Sequence, residues 1–117
     1  MNQQEMKKRT KEYAKRIIKL CRKLPDIPET RRISDQLFRA GTSVGANYRA
    51  VCRARSKADF ISKLGVVLKE GDESLFWLEI ITETVHIDLS LLESLMSEGN
   101  EIVAILVSSI NTSKRSK

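Results

Sequence analysis

The chain has little that breaks a helix. Its 117 residues hold two prolines and five glycines, while Leu, Ile, Lys, Glu, Arg and Ala are plentiful. That balance favours helix over strand. Two cysteines are too few for a disulfide framework, and a buried free thiol is the plain reading of Cys21 and Cys52. One histidine, with no Ser–His–Asp or Cys–His arrangement, gives nucleophilic catalysis no support. Aromatics make up 5% of the chain, few for stacking on bases. No apolar run approaches the roughly 18 residues that span a bilayer. Met1 to Arg9 lead into no apolar segment of the signal-peptide kind. These absences predict a cytoplasmic protein of one domain, 1–117, with no membrane partner.

What the chain does have is charge, unevenly placed. Residues 1–63 carry 17 Lys and Arg against 6 Asp and Glu, a balance of +11; residues 64–117 carry 4 against 9, a balance of −5. Such a field suits a polyanionic partner on the basic side, or head-to-tail pairing of identical chains, basic face to acidic face. Neutralisation of one half by the other within a single bundle is the plainer alternative.

Hydrophobic spacing divides the chain into four helices. Met6, Thr10, Tyr13, Ile17, Leu20 and Leu24 recur at intervals of four and three, which predicts a first helix over 5–24. Beside that seam, Arg9, Arg16 and Lys23 recur every seven residues, and Lys8, Lys15 and Arg22 run alongside them. The two rows form a positive stripe that can follow a phosphate backbone, or can be an ordinary solvated face. Pro25-Asp26-Ile27-Pro28 ends this helix and starts the next.

A second helix is predicted over 29–53, with Ile33, Leu37, Ala40, Val44, Tyr48 and Val51 on its apolar side. Gly41 and Gly45 lie beside that seam, where each costs about 1 kcal/mol relative to alanine. Close helix–helix approach explains them. A phosphate loop does not, because no Gly-Lys-Ser/Thr ending is present. Ser56 with Asp59 reads as a capping box and starts a third helix over 57–85. Glu70 and Glu73 fall in its apolar stretch and need partners, because an unpaired buried charge costs several kcal/mol. Arg39 and Asn47 are the candidates, in a structural polar network of Arg39, Ser43, Asn47, Glu70 and Glu73. Ser90-Leu-Leu-Glu93 reads as a capping box for a fourth helix over 91–111, and 112–117 as a disordered basic tail. Four helices with short connections predict an all-α, up-down-up-down antiparallel four-helix bundle.

Metal and catalytic sites find no footing. Glu83-Thr-Val-His86 has the Glu-x-x-His spacing of di-iron bundles, but such a site needs two of these motifs, and this chain has one histidine. We expect no metal, no cofactor and no catalytic residue.

Arg39-Ala40-x-x-Ser43-Val44-x-Ala46-Asn47, followed by Arg55-Ser56-Lys57 and Phe60, resembles the four-helix-bundle proteins related to large-subunit ribosomal RNA intervening-sequence proteins. Lys69-Glu70 to Glu73 and Phe76-Trp77-Leu78-Glu79 resemble that family's third helix. The likeness covers roughly residues 10 to 110. It implies an up-and-down bundle that can assemble as a homopentamer. The chain is similar also to the accessory proteins of diversity-generating retroelements, which are basic, pentameric, and bind nucleic acid and a reverse transcriptase. Where many relatives read Ala-Asn-x-Ala-Glu-Gly, this chain has Ala46-Asn47-Tyr48-Arg49-Ala50-Val51, so it resembles another branch of the family.

The expectation is a non-enzymatic homo-oligomer that binds nucleic acid, RNA ahead of DNA. The residues expected to carry it are Lys8, Arg9, Lys15, Arg16, Arg22 and Lys23 of the stripe, with Arg49, Arg53, Arg55 and Lys57 of the turn that follows. The alternative is a self-assembling adaptor with a protein partner, such as a reverse transcriptase, and no direct contact with nucleic acid.

Overall fold

The computed structural model describes residues 1–116, so Lys117 of the expected tail lies outside the described residues. Four α-helices follow one another: α1 Gln3–Lys23, α2 Pro28–Val51, α3 Lys57–Thr84 and α4 Leu89–Arg115. Each packs against its neighbour in sequence, and α4 returns to α1. The result is an antiparallel up-and-down bundle of about 50 × 22 × 20 Å. The α1–α4 seam is much the most open of the four.

Local chemistry sets most helix ends. Asn2 caps α1, its Oδ1 accepting from the Glu5 backbone N–H at 2.8 Å. Pro28 opens α2, where a missing N–H costs nothing. Ser56 caps α3 by accepting from the Asp59 N–H at 3.0 Å, and the Asp59 carboxylate reaches back to the Arg55 N–H at 3.1 Å.

The start of α3 is as expected; the other ends shift by one or two residues and the end of α4 by four, and three of these shifts have a local cause. Helix α2 stops at Val51: the Arg53 and Ala54 N–H groups bond to Ala50 and Val51 carbonyls in a tighter turn, which leaves Arg53 outside the helix. Helix α4 starts at Leu89, because Asp88 takes the capping role expected of Ser90 and accepts from both the Ser90 N–H and the Ser90 hydroxyl. A carboxylate there also favours the positive end of the helix dipole. At the other end α4 runs on through Arg115. Residues 112–115 are helical where a disordered tail was expected, and Lys114 and Arg115 face the negative end of the same dipole.

The core closes the predicted apolar seams of α1 and α2 against the inner faces of α3 and α4. Met6, Tyr13, Ile17 and Leu20 of α1 meet Leu37, Val44, Tyr48 and Val51 of α2, Leu64, Val67, Leu78 and Ile81 of α3, and Leu92, Leu95, Ile102 and Leu106 of α4. Gly41 and Gly45 let α1 and α2 touch. A Cβ on Gly41 would stand 2.7 Å from Ile17 Cγ1, and one on Gly45 would stand 3.1 Å from the Thr10 carbonyl oxygen. One polar pair is buried: the Tyr13 and Ser74 hydroxyls lie 2.9 Å apart.

Candidate nucleic-acid interface

Helix α1 buries Met6, Thr10, Tyr13, Ile17 and Leu20. The cations beside that seam therefore divide between two flanks and an outer face. Arg9 and Arg16 turn to the α4 flank. The Arg9 guanidinium donates through Nε to Glu98 Oε2 at 2.7 Å and through Nη2 to Glu98 Oε1 at 2.6 Å, with Glu101 at 3.3 Å. Donating these hydrogen bonds to the Glu98 carboxylate raises the Arg9 pKa above its ordinary value. Arg16 donates to the Ser94 hydroxyl at 2.8 Å. The expected stripe is thus split, and its Arg9 and Arg16 members close the open seam between α1 and α4. Lys8, Lys15, Arg22 and Lys23 are exposed, and Lys15 pairs with Glu12 at 3.2 Å.

The other flank faces α2 and holds a groove of about 410 Å³. Lys7, Lys8 and Lys11 of α1 and Arg49 of α2 line it, with Gln4 and Thr42. Ala14, Gly45 and Ala46 are its small residues, where the two backbones approach most closely. Among the described residues, none of these four cations has a carboxylate within 4.0 Å. Lys7 and Lys11 were absent from the expected set. Each follows a seam residue, Met6 or Thr10, so its basic character was visible. The spacing alone does not say that α2 lies on that side.

The groove opens towards the end of the bundle where α1 and α3 begin and α2 and α4 finish. Arg53 and Arg55 lie in the α2–α3 turn, and Lys57 is the first residue of α3. A shallow pocket of about 490 Å³ at this end is lined by Gln3 of α1, Arg55 and Lys57 of the turn, and Ser113 and Ser116 of the α4 terminus. The last turn of α4, which carries Lys114 and Arg115, ends at the same end of the bundle, with Ser113 and Ser116 against the turn after α2. Lys63 is engaged here by Asp59, and this ammonium holds the Asp59 carboxyl below the usual carboxylate range. The opposite end is mixed: Arg22, Lys23, Arg31 and Arg32 alternate with Asp26, Glu29 and Asp88. Arg31 pairs with Asp26 at 3.4 Å. Charge is thus distributed by end and by flank as well as by sequence half.

The polar network expected between α2 and α3 forms only in part. Arg39 Nη2 donates to Glu73 Oε2 at 3.2 Å, and Arg39 Nη1 lies 3.7 Å from Glu70 Oε2. Ser43 and Asn47 are not partners of either glutamate. The Ser43 hydroxyl donates to the Arg39 carbonyl at 2.6 Å, and Asn47 Nδ2 donates to the Ser43 carbonyl at 2.9 Å. Both side chains bond back along their own helix, as short polar side chains do. His86 lies in the α3–α4 turn, one residue past the Val85 cap.

A crystal structure from Bacteroides thetaiotaomicron, of a protein with unknown function from the S23 ribosomal protein family, matches this fold with a TM-score of 0.84 at 38% sequence identity. The match covers 95% of this chain and 99% of that one. A search of curated proteins finds no match. No helix among the described residues is long and apolar enough to cross a membrane. The sequence model of the 23S rRNA-intervening sequence protein family matches residues 2–108, and with that span and that structural relative the chain belongs to this family.

Proposed function

We propose that this protein is a non-enzymatic, homo-oligomeric helical bundle that binds RNA in the cytoplasm through the α1–α2 groove and the basic end beside it. One observation carries the reading: Lys7, Lys8, Lys11 and Arg49 converge on a single groove, and among the described residues no carboxylate lies within 4.0 Å of any of them. Arg53, Arg55, Lys57, Lys114 and Arg115 extend the same field at the bundle end. A polyanion released from its counterions is the partner such a surface favours. The groove has no aromatic wall, so bases have nothing to stack on. Recognition is then of the phosphate backbone and independent of sequence. The family's name, which refers to 23S rRNA, supports RNA over DNA.

The test is fluorescence anisotropy with labelled single-stranded and duplex RNA and DNA at low salt. The expected result is binding that weakens steeply with salt and falls at least tenfold in a Lys8→Glu, Lys11→Glu, Arg49→Glu chain of unchanged melting temperature. Absence of binding above a neutral control, or equal binding by that variant, would overturn the reading. A second reading is a self-assembling adaptor. It is favoured by Asp72, Glu79 and Glu83, which stand exposed and without an ion pair on the outer face of α3.

A further inference from the structure

The outer face of α3 is mostly charged but carries two exposed apolar side chains. Val66, Lys69, Asp72, Phe76, Glu79 and Glu83 follow one another at helical spacing along the face turned away from the bundle, with Gly65 beside them. Val66 is 47% exposed and Phe76 51% exposed. The Phe76 ring stands edge-on to Trp77, with centroids 5.0 Å apart, and projects beyond it. Gly65 is the glycine for which this chain offers no packing reason. A Cβ there would meet nothing within 4 Å, whereas at Gly41, Gly45, Gly71 and Gly99 it would press on a neighbour. A bare glycine inside a helix costs about 1 kcal/mol relative to alanine, and close approach by another backbone is the usual compensation.

The same molecule carries a surface of the opposite character. The α1–α2 groove, of about 410 Å³, is floored by Ala14, Gly45 and Ala46 and carries cations at Lys7, Lys11 and Arg49. The α3 ridge offers the Phe76 ring, with Asp72 four residues before it and Glu79 three residues after, neither in an ion pair among the described residues. Ridge and groove are different surfaces of one chain, so their contact is heterologous and repeats from copy to copy.

We infer that the outer face of α3 docks, Phe76 first, into the α1–α2 groove of a second copy of this chain, and that RNA and the second copy compete for that groove. The docking stands on its own geometry; the competition rests on the RNA-binding reading above. Assembly then regulates binding. In a stack joined ridge into groove only the groove at the open end and the basic bundle ends stay free for RNA, so the assembled chain binds RNA there, and RNA of sufficient concentration shortens the stack by taking the remaining grooves.

Complementation tests the contact. One variant carries Val66→Ser, Phe76→Ser and Glu79→Lys on the ridge; the other carries Lys11→Glu and Arg49→Glu in the groove. All five positions are partly or fully exposed, and thermal melts confirm that each variant folds. By sedimentation velocity the unmodified chain assembles, each variant alone is a monomer with self-affinity at least tenfold weaker, and an equimolar mixture yields a dimer and nothing larger. Gly65→Gln, which fills the dent, also weakens assembly. A monomeric unmodified chain, assembly that survives the ridge substitutions, or a mixture that stays monomeric overturns the docking. Single-stranded RNA titrated into the assembled chain tests the competition. The expected result is a fall in mass as RNA approaches saturation; RNA that saturates the chain without lowering the mass overturns it. If no RNA binds at all, the nucleic-acid reading fails and the complementation result still decides the docking.

Discussion

Arg9 and Glu98 grip each other through two hydrogen bonds, at 2.7 and 2.6 Å, across the α1–α4 seam, the most open of the four. Each side chain is 21% exposed. A forked guanidinium–carboxylate pair of this kind is worth more than a simple surface ion pair, which contributes about 0–1 kcal/mol. We expect Arg9→Ala or Glu98→Ala to destabilise the fold by about 1–2 kcal/mol. The double variant should cost less than the two single changes added together. A double-mutant cycle by urea denaturation measures this. Coupling indistinguishable from zero would show that the seam closes without the pair.

The same pair separates two kinds of lysine and arginine in tests of RNA binding. Substituting Arg9 weakens the seam as well as the surface charge, so weaker binding there is ambiguous. Lys8, Lys11 and Arg49 are exposed and unpaired, and their removal should leave stability unchanged. Each phosphate that goes unneutralised lowers the slope of log K against log salt by about 0.7 on a single strand. The prediction is a slope lower by about 2 for the triple Lys8→Gln, Lys11→Gln, Arg49→Gln chain, with no shift in melting temperature. An unchanged slope would place the phosphates elsewhere.

Two glycines should respond in opposite directions to the same change. A Cβ on Gly99 would stand 2.8 Å from both the Tyr13 hydroxyl and Leu75 Cδ2, and the Tyr13 ring is buried and held by its bond to Ser74. Gly99→Ala is expected to cost about 1–3 kcal/mol by overpacking. Gly65→Ala adds a methyl group in open space, removes a flexible residue from a helix interior, and should stabilise the isolated chain by about 0.5–1 kcal/mol. Thermal melts at concentrations too low for assembly check both signs.

The contrast between these glycines shows how far the sequence could be read. Intervals of three and four place every helix, because burial of Met6, Tyr13 and Ile17 against Leu37 and Val44 outweighs local preference. They do not distinguish Gly65 from Gly41, which share a pattern of glycine within apolar helix. The helix ends turn on smaller differences. Asp88 and Ser90 can both cap α4, and the choice between them is worth tenths of a kcal/mol. The flanks of α1 are illegible for a geometric reason. Heptad spacing puts Arg9 next to Thr10 without saying which neighbour occupies that side, so pairing with Glu98, 89 residues away, emerges only when the bundle closes. Arg39 is legible as a partner for the α3 carboxylates, because both faces point into the same seam. Asn47 is not such a partner, because a short amide finds its own helix's carbonyl first.

The buried hydroxyl chain gives a final pair of unequal substitutions. Ser74 Oγ donates to the Gly71 carbonyl at 2.7 Å, so the Tyr13 hydroxyl, 2.9 Å away, is the donor to Ser74. Tyr13→Phe leaves Ser74 with its carbonyl acceptor intact, whereas Ser74→Ala strands the Tyr13 hydroxyl in the core. Ser74→Ala should therefore be the costlier change, about 1–3 kcal/mol against about 1 kcal/mol or less for Tyr13→Phe. Alkaline pH probes the same residue from another side. Burial pushes the Tyr13 hydroxyl above its ordinary value of 10.0, so the unfolded chain loses this proton first as pH rises. The stabilisation is complete below about 10 and is lost as pH climbs through the folded value. Tyr48 and Cys21 are shifted the same way by burial and add to the loss, Cys21 from its lower ordinary value of 9.0. Urea midpoints measured from about pH 8 to about pH 11 should fall, and in Tyr13→Phe they should fall less steeply above about pH 10. Parallel curves for the two proteins would mean that the Tyr13 hydroxyl ionises as easily in the folded chain as in the unfolded one.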